Sequence, residues 1–392
     1  MADDTVRKRL NVCVTGADGW YGFNVCYGIL TGNNRHLVTQ LICGVCHTDN
    51  RFVSWLEDQG ATIFRYSLGC TSEFAEVLTE TDAVVLCPPI ITDDNDHVQR
   101  EWAKNLGTSK PTTENTKDRD KSGQSEEAPL VAMWAAFLMA IECARIRRVV
   151  MMSVVNLDQV GFNPELPMPR LTELRMLELM FQHGFLRHAP KHRWVVRQTL
   201  ALEHLYLYQR SIQRDQKLLL PIEQALFNPV TMMDVGDALV VLLMGKHRWG
   251  GKSLGDGVDL DMDSDSDTDD DVSVTGEVSK AGKLAMKKRV KMCCFTGRNV
   301  VSGAAIACYA SEALGTTVRY HPVSSEESME MLKQYPDITR PEMELLLEQY
   351  QMIKFGFMSL LTRDLERKLT RKPRGVSEFF GQNREDFKPE EL

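Results

Sequence analysis

The sequence predicts an α/β fold built on a doubly wound parallel sheet. Short aliphatic runs alternate with helical segments through the first ninety residues, and the alternation resumes after residue 128. The first aliphatic run closes on a glycine-rich turn, as the first strand of such a sheet often does. The 392 residues, 43% of them hydrophobic, suffice for one large core with an appended lobe.

The elements of the first ninety residues follow in strict order. Four β-branched runs predict strands, namely NVCVTG, HLVTQLICGV, ATIFRY and DAVVLCPPI. The intervening segments predict three helices, one from Tyr21 to about Leu30, one at FVSWLEDQG and one at CTSEFAEVLTE. Strict alternation indicates parallel strands joined by right-handed crossovers.

The pattern continues beyond residue 128. Further strands are expected at RRVVMMSVV, VKMCCFTG and TVRYHPV, and further helices at PLVAMWAAFLMAIECARI, 171–184 and SGAAIACYASEALG. A strand that runs into a helix is expected at WVVRQTLALEHLYLYQR, and a turn followed by a helix at NPVTMMDVGDALVVLLM. The SSEE sequence at 324–327 predicts a capping box. Thr339 and Pro341 predict the start of an amphipathic helix that runs to Leu361.

Two polar segments interrupt this pattern. Residues 92–127 and 252–283 contain few aliphatic side chains, so we expect two disordered insertions. The net charge of −8 arises largely from nine aspartates between Asp256 and Asp271, without which the chain carries about +1. This balance gives little support to direct nucleic-acid binding.

Membrane and metal sites are not expected. The longest apolar stretch, Leu130–Ala144, contains Glu142 and is too short to span a bilayer, so we expect a cytoplasmic protein. Most of the ten cysteines lie in apolar runs typical of reduced core thiols. Cys43, Cys46 and His47 form a C-x-x-C-H pattern, but its apolar setting disfavours haem attachment or a metal.

The glycine-rich turn is the strongest motif. Gly16, Gly19 and Gly22 form G-x-x-G-x-x-G between a predicted strand and helix. A dinucleotide pyrophosphate needs such a turn, with free backbone N–H groups and the positive end of a helix dipole. Two interpretations stay open, a dinucleotide site and a turn retained for packing alone.

The form of the dinucleotide, NAD or NADP, is left undetermined. An acid after the second strand favours the NAD ribose, and an arginine there favours the NADP phosphate. This chain has Cys46, His47 and Thr48 at that position, with Asp49 and Arg51 slightly later. Neither rule is met.

Several segments together resemble the NmrA-like family of atypical short-chain dehydrogenases. They are the GADGWYG turn, DAVVLCPP, RRVVMMSVV, VRQTLALEHL, NPVTMMDVGDAL and FTGRNVVSGAAIACYASEALGTTVRYHPVS. The resemblance implies a Rossmann-type NAD(P)-binding domain over 1–91 and 128–200 and a smaller C-terminal α/β lobe over 201–251 and 284–392. It also implies the cofactor-binding residues Gly16, Ala17, Asp18, Gly19, Trp20, Tyr21, Gly22, Cys46, His47, Pro88, Pro89 and Ser153.

The residues for ordinary dehydrogenase chemistry are incomplete. Such enzymes use a tyrosine activated by a lysine four residues later, with a serine after the fifth strand. Ser153 occupies the serine position and is the one weak catalytic candidate, but no tyrosine or lysine lies between it and Lys191. The nearby bases are arginines, which do not titrate near neutrality. A Y-x-x-x-K pattern at Tyr350 and Lys354 lies far downstream. There we expect Tyr350 to pack and Lys354 to be solvated.

Two features suit regulation. An aspartate lies three positions after each of Ser264, Ser266 and Thr268. This is the setting favoured by acidophilic kinases. The KKRVK sequence at 287–291 matches the pattern read by nuclear import machinery. The aspartate-rich segment could equally be a solvated spacer that is never modified, and the basic residues could equally be an ordinary flank of a strand. Nuclear import is therefore compatible with the sequence but not indicated by it.

Three functional hypotheses follow. The first is a non-catalytic dinucleotide sensor that binds a protein partner, which the family resemblance suggests is a GATA-type transcription factor. The second is an NAD(P)H-dependent oxidoreductase or isomerase, which would need a proton donor not identified in the sequence. The third is a scaffold that no longer binds nucleotide. The sequence leaves the oligomeric state open.

Overall fold

The computed structural model describes residues 9–46, 50–66, 71–88, 128–160, 167–185, 188–245 and 290–389. The two predicted insertions and the three candidate phosphorylation sites lie outside these residues. No helix in the described ranges is long and apolar enough to cross a membrane.

A seven-stranded sheet forms the centre of the molecule. Its strands are β1 (Leu10–Val14), β2 (Val38–Val45), β3 (Thr62–Arg65), β4 (Ala83–Leu86), β5 (Arg148–Val154), β6 (His192–Gln198) and β9 (Lys291–Phe295). They lie in the order β3-β2-β1-β4-β5-β6-β9, and every pairing is parallel. This arrangement confirms the predicted Rossmann-type doubly wound sheet.

Helices cover both faces of the sheet. In chain order they are α1 (Trp20–Thr31), α2 (Arg51–Asp58), α3 (Thr71–Leu78), α4 (Ala128–Cys143), α5 (Pro169–His183), α6 (Gln209–Asp215), α7 (Met232–Met244), α8 (Gly303–Leu314), α9 (Ser325–Leu332), α10 (Arg340–Lys354), α11 (Asp364–Leu369), α12 (Val376–Gln382) and α13 (Arg384–Phe387). A 3₁₀ helix at Leu202–Tyr208 precedes α6, and the predicted capping box at Ser324 and Glu327 is present.

Successive side chains of a strand point to opposite faces of the sheet, so a separate apolar core lies on each face. Val149 and Met151 of β5 belong to one buried cluster, whereas Val150 and Met152 belong to the other. Burial on both faces explains why the strand sequence is a continuous apolar run instead of an alternating one.

Glycines bring α1 close to α7. A Cβ atom on Gly28 would lie 2.0 Å from the carbonyl oxygen of Met232, and one on Gly236 would lie 2.1 Å from the carbonyl carbon of Gly28. Only a backbone without side-chain atoms fits at this crossing. The close contact with α7 therefore fixes the position of α1, which follows the glycine-rich turn.

The C-terminal lobe contains two small sheets. Strand β7 (Lys217–Leu220) pairs in parallel with β11 (Arg319–Pro322), and β8 (Leu226–Phe227) pairs antiparallel with β10 (Val301–Ser302). The segment assigned to the lobe also supplies β9 to the central sheet and α7 to its covering layer, so the division at residue 200 does not separate the sheet from the lobe.

The predicted end of the amphipathic helix at Leu361 is wrong. Helix α10 ends at Lys354, and Gly356 adopts a positive φ of 77°. A glycine in this left-handed conformation turns the chain out of the helix, although the apolar residues continue beyond it.

Candidate functional site

The glycine-rich turn lies where the strand order of the sheet reverses. Strands β2 and β4 flank β1 on opposite sides, and in doubly wound folds ligands bind in the crevice at this point. Gly16 has a positive φ of 64°, and a Cβ on Gly22 would lie 2.1 Å from the carbonyl oxygen of Gly16. Both positions therefore need glycine, and Ala17 closes the turn by donating its N–H to the carbonyl oxygen of Gly44 at 3.0 Å.

Asp18 joins the turn to the end of β2. Its carboxylate accepts the backbone N–H of Cys46 at 3.0 Å, and its carbonyl accepts the amide of Asn50 at 2.8 Å. Burial, assisted by the charge of Asp18, raises the pKa of the Cys46 thiol to about 12. Such a thiol stays protonated at neutral pH, and within the described residues no three metal-ligating side chains gather. His47 lies outside the described ranges.

A carboxylate from the C-terminal lobe occupies the start of α1. Gly19 caps this helix without a side chain, and Trp20 donates its backbone N–H to Oε1 of Glu342 on α10 at 2.5 Å. The same oxygen lies 2.7 Å from the position of a Cβ on Gly19. Glu342 thus lies against the bare backbone that a phosphate of a dinucleotide would approach.

Glu342 is buried without a cationic partner among the described residues. Its Oε2 accepts the backbone N–H and the hydroxyl of Thr339, in the capping box of its own helix, at 2.9 and 3.0 Å. Burial raises the pKa of Glu342 to about 7; these hydrogen bonds lower it, and Asp18 raises it further. A cavity of about 20 Å³, roughly one water molecule, adjoins it and is lined by Trp20, His204 and Gln349 among others.

An ion-paired cluster surrounds the predicted serine. Ser153 is fully buried at the end of β5 and donates its hydroxyl to Oε2 of Glu178 on α5 at 2.6 Å. Arg197 on β6 contacts both oxygens of Glu178, at 2.7 and 3.2 Å, and also pairs with Asp158. The serine hydroxyl is therefore held by a carboxylate from the helix that would carry the catalytic tyrosine.

Tyr21 is hydrogen-bonded to the backbone of Ser153. Its hydroxyl donates to the carbonyl oxygen of Ser153 at 3.3 Å, and burial raises its pKa well above the ordinary value for tyrosine. This raised pKa is the opposite of the lowered pKa that a lysine gives the tyrosine of a dehydrogenase. Pro88 follows β4 at the same edge of the sheet, whereas Pro89 lies outside the described ranges.

Helix α10 also caps α5. The carboxylate of Glu348 accepts the backbone N–H groups of Arg170 and Leu171 at 3.0 and 2.8 Å. Burial raises the pKa of Glu348 to about 7. One helix therefore places carboxylates at two helix N-termini, where the dipole favours negative charge.

The downstream Y-x-x-x-K belongs to the packing of the lobe. Tyr350 is buried against Tyr208, with ring centroids 6.4 Å apart, and Lys354 pairs with Glu223 at 2.6 Å. Neither side chain lies with Ser153 in the described contacts. Sequence patterns do not identify Glu342, Glu178 or Arg197 as site residues. The T-R-P-E sequence at 339–342 signals a cap for α10 but not for α1.

The sequence matches no protein-family model and no curated protein sequence. Solved structures do match. The Citrobacter sp. triphenylmethane reductase complexed with NADP(H) is 14% identical, with a TM-score of 0.57, over 95% of this chain and 99% of that chain. The Escherichia coli NADPH-dependent quinone oxidoreductase complexed with NADPH is 12% identical, with a TM-score of 0.55, over 95% and 99%. A mutant of NmrA is 11% identical, with a TM-score of 0.54, over 97% and 96%.

This chain shares its fold with these two reductases and with NmrA. The NmrA-like resemblance is thereby confirmed at the level of fold, and NAD(P), the predicted cofactor class, is the class that two of these neighbours bind. The turn itself has the bare backbone that a dinucleotide needs. As the side chains stand, however, a pyrophosphate does not fit at the N-terminus of α1, because the Glu342 carboxylate lies there.

Proposed function

We propose that this protein is a non-catalytic regulatory protein that responds to NAD(P) and binds a protein partner. The observation that carries the proposal is the engagement of Ser153. Its hydroxyl is bonded to Glu178, which in turn is neutralised by Arg197. This serine is not free to polarise a carbonyl, and α5 contains no tyrosine or lysine to move a proton.

The dinucleotide part of the proposal rests on the turn and on α10. Glu342 on α10 contacts the turn, and Leu347 on the same helix lines a groove in the C-terminal lobe. Binding of a dinucleotide at the turn requires Glu342 to leave, and a shift of α10 would alter the groove. A physical connection of this kind is what a sensor needs between its two sites.

The groove supports a partner with basic and apolar side chains. It encloses about 850 Å³ over the exposed face of the β7–β11 sheet, beside α9. Its apolar lining consists of Leu219, Val323, Met329, Met331 and Leu347, and its acidic lining of Asp215, Glu326, Glu327 and Glu330. Lys217 also lies there, but the four acids leave the lining net negative. A zinc finger of the GATA type, the partner suggested by the family resemblance, is our candidate for this groove.

The catalytic half of the proposal is tested by hydride transfer. Purified protein is incubated with NADPH or NADH and a quinone or a triphenylmethane dye, and the absorbance of the nicotinamide is followed. We expect no turnover above the buffer blank, and none after Ser153→Ala. Steady turnover that Gly19→Val abolishes would instead establish the NAD(P)H-dependent reductase as the correct interpretation.

The partner half is tested by calorimetry with a purified GATA-type zinc finger domain. We expect binding that changes when NADPH is added and weakens at least tenfold in a Glu326→Lys, Glu330→Lys double variant. Glu57→Lys, a charge reversal on the exposed face of α2, is the control and should bind as the wild type does. Absence of binding would contradict this partner, and equal binding by all three proteins would contradict this groove.

A further inference from the structure

The N-terminus of α1 already holds an anion that belongs to the chain itself. Helix α1 has no acidic residue in its first turn and no side-chain cap, so its first N–H groups need an outside acceptor. Glu342 supplies one to Trp20. Helix N-termini bind phosphate for the same reason, through free N–H groups and the helix dipole.

The fit between Glu342 and the turn is close. Its Oε1 lies where any side chain at position 19 would begin, and the residue is only 5% exposed. Glycine is the one residue that permits this approach without displacing the carboxylate. The lack of a side chain at Gly19, which would let a phosphate approach the turn, therefore also lets Glu342 approach it.

The groups around Glu342 are hydrogen-bond donors suited to an anion, and one of them has no acceptor among the described residues. The indole Nε1 of Trp20 is buried and has no hydrogen-bond partner in the described part of the chain. Trp20 lines the same small cavity as Glu342, which leaves room for an additional acceptor atom. Among the described residues no arginine or lysine pairs with Glu342, in contrast to Glu178, and its hydrogen-bond donors there are neutral.

We propose that Glu342 is an intramolecular competitor of phosphate at the glycine-rich turn, and that it sets the affinity of the turn for diphosphate ligands. An external diphosphate binds only when Glu342 has withdrawn from the N–H of Trp20. This inference rests on the dinucleotide part of the proposed function and adds to it that competition with Glu342 sets the affinity of the turn.

The test compares binding of inorganic pyrophosphate and NADPH to the full chain and to three variants. Glu342→Ala removes the carboxylate, and Glu342→Asp keeps a carboxylate in the first turn of α10 but shortens the side chain by one methylene. Glu344→Gln alters a carboxylate two residues further along α10 and is the matched control. Calorimetry gives the affinities, and circular dichroism checks that each variant is folded.

We expect Glu342→Ala and Glu342→Asp to bind both probes at least tenfold more tightly than the wild type and Glu344→Gln. If Glu342→Ala fails to fold, the aspartate variant alone decides. Equal affinity in all four proteins would overturn the inference while leaving dinucleotide sensing intact. Binding by none of them would overturn both the inference and the dinucleotide part of the proposed function, and the hydride-transfer assay would still stand as a separate test.

Discussion

The glycine-rich turn and the end of β5 differ in how they hold a buried carboxylate. At the turn, Glu342 accepts hydrogen bonds from Trp20 and Thr339 and has no cationic partner in the described chain. At the end of β5, Glu178 accepts from Ser153 and two nitrogens of Arg197. An ion pair fixes one carboxylate in place, whereas the other can be protonated or displaced. The first region is therefore suited to a change of state and the second to rigidity.

Removing the arginine should have the largest effect on stability. Arg197→Ala leaves Glu178, which is buried, without its counter-charge, and we expect the free energy of unfolding to fall by about 4 kcal/mol. Urea denaturation measures this change. Arg298→Ala, which breaks the exposed pair with Glu378, is the control and should cost less than about 1 kcal/mol. Equal effects would show that Glu178 is not held by its ion pair.

A side chain inside the turn should be nearly as damaging. Gly22→Ala places a Cβ 2.1 Å from a backbone oxygen, so the turn must distort, and we expect a loss of about 3 kcal/mol. The thermal midpoint of unfolding reports it. Gly381→Ala, where a Cβ meets open space, provides the comparison. A stable Gly22→Ala protein would mean that the turn is less constrained than the structure indicates.

The pH dependence of stability separates the two carboxylates. Because the pKa of Glu342 rises from 4.5 to about 7 on folding, the folded state binds more protons between these values, and stability falls as pH rises through that window. Asp18 and His204 lie near Glu342; burial lowers the pKa of His204 to about 4, which acts in the opposite direction below pH 6.5. Comparison with Glu342→Gln cancels these contributions.

Glu342→Gln should therefore lose less stability than the wild type between pH 5 and pH 8, by about 2 kcal/mol over the window. Urea denaturation at each pH gives the two curves. Parallel curves would show that Glu342 remains ionised throughout and would weaken the contrast with Glu178.

The serine hydroxyl should contribute least. Ser153→Ala removes one hydrogen bond from Glu178, while Arg197 remains, and we expect a loss of about 1 kcal/mol with the fold unchanged. Thermal unfolding measures it, with the wild type at the same pH as reference. A loss as large as that of Arg197→Ala would place the hydroxyl, not the arginine, at the centre of the cluster.

The fold could be predicted from the sequence to a greater extent than the site. Buried parallel strands are continuous apolar runs, so β1, β4 and β5 were recognisable, as was the capping box at Ser324. The two-residue strands β8 and β10 are too short to show a period. The predicted end of α10 lies too far along the chain because apolar residues continue past Gly356.

At the site, the glycines were recognisable because a backbone constraint is local. The side chains that complete the site are not local, since Glu342 lies 322 residues from Trp20 and Glu178 lies 25 residues from Ser153. No periodicity or spacing connects such partners. A sequence can therefore reveal that a turn accepts an anion without revealing that the chain provides one.

The attachment of Glu342 to the chain has a consequence in terms of mass action. A tethered group competes at an effective concentration that is set by the structure, and diluting the protein does not lower it. The apparent dissociation constant of any free diphosphate equals the intrinsic one divided by the fraction of molecules with the turn vacated. The more completely Glu342 occupies the turn, the higher the concentration of free diphosphate that is needed to fill it.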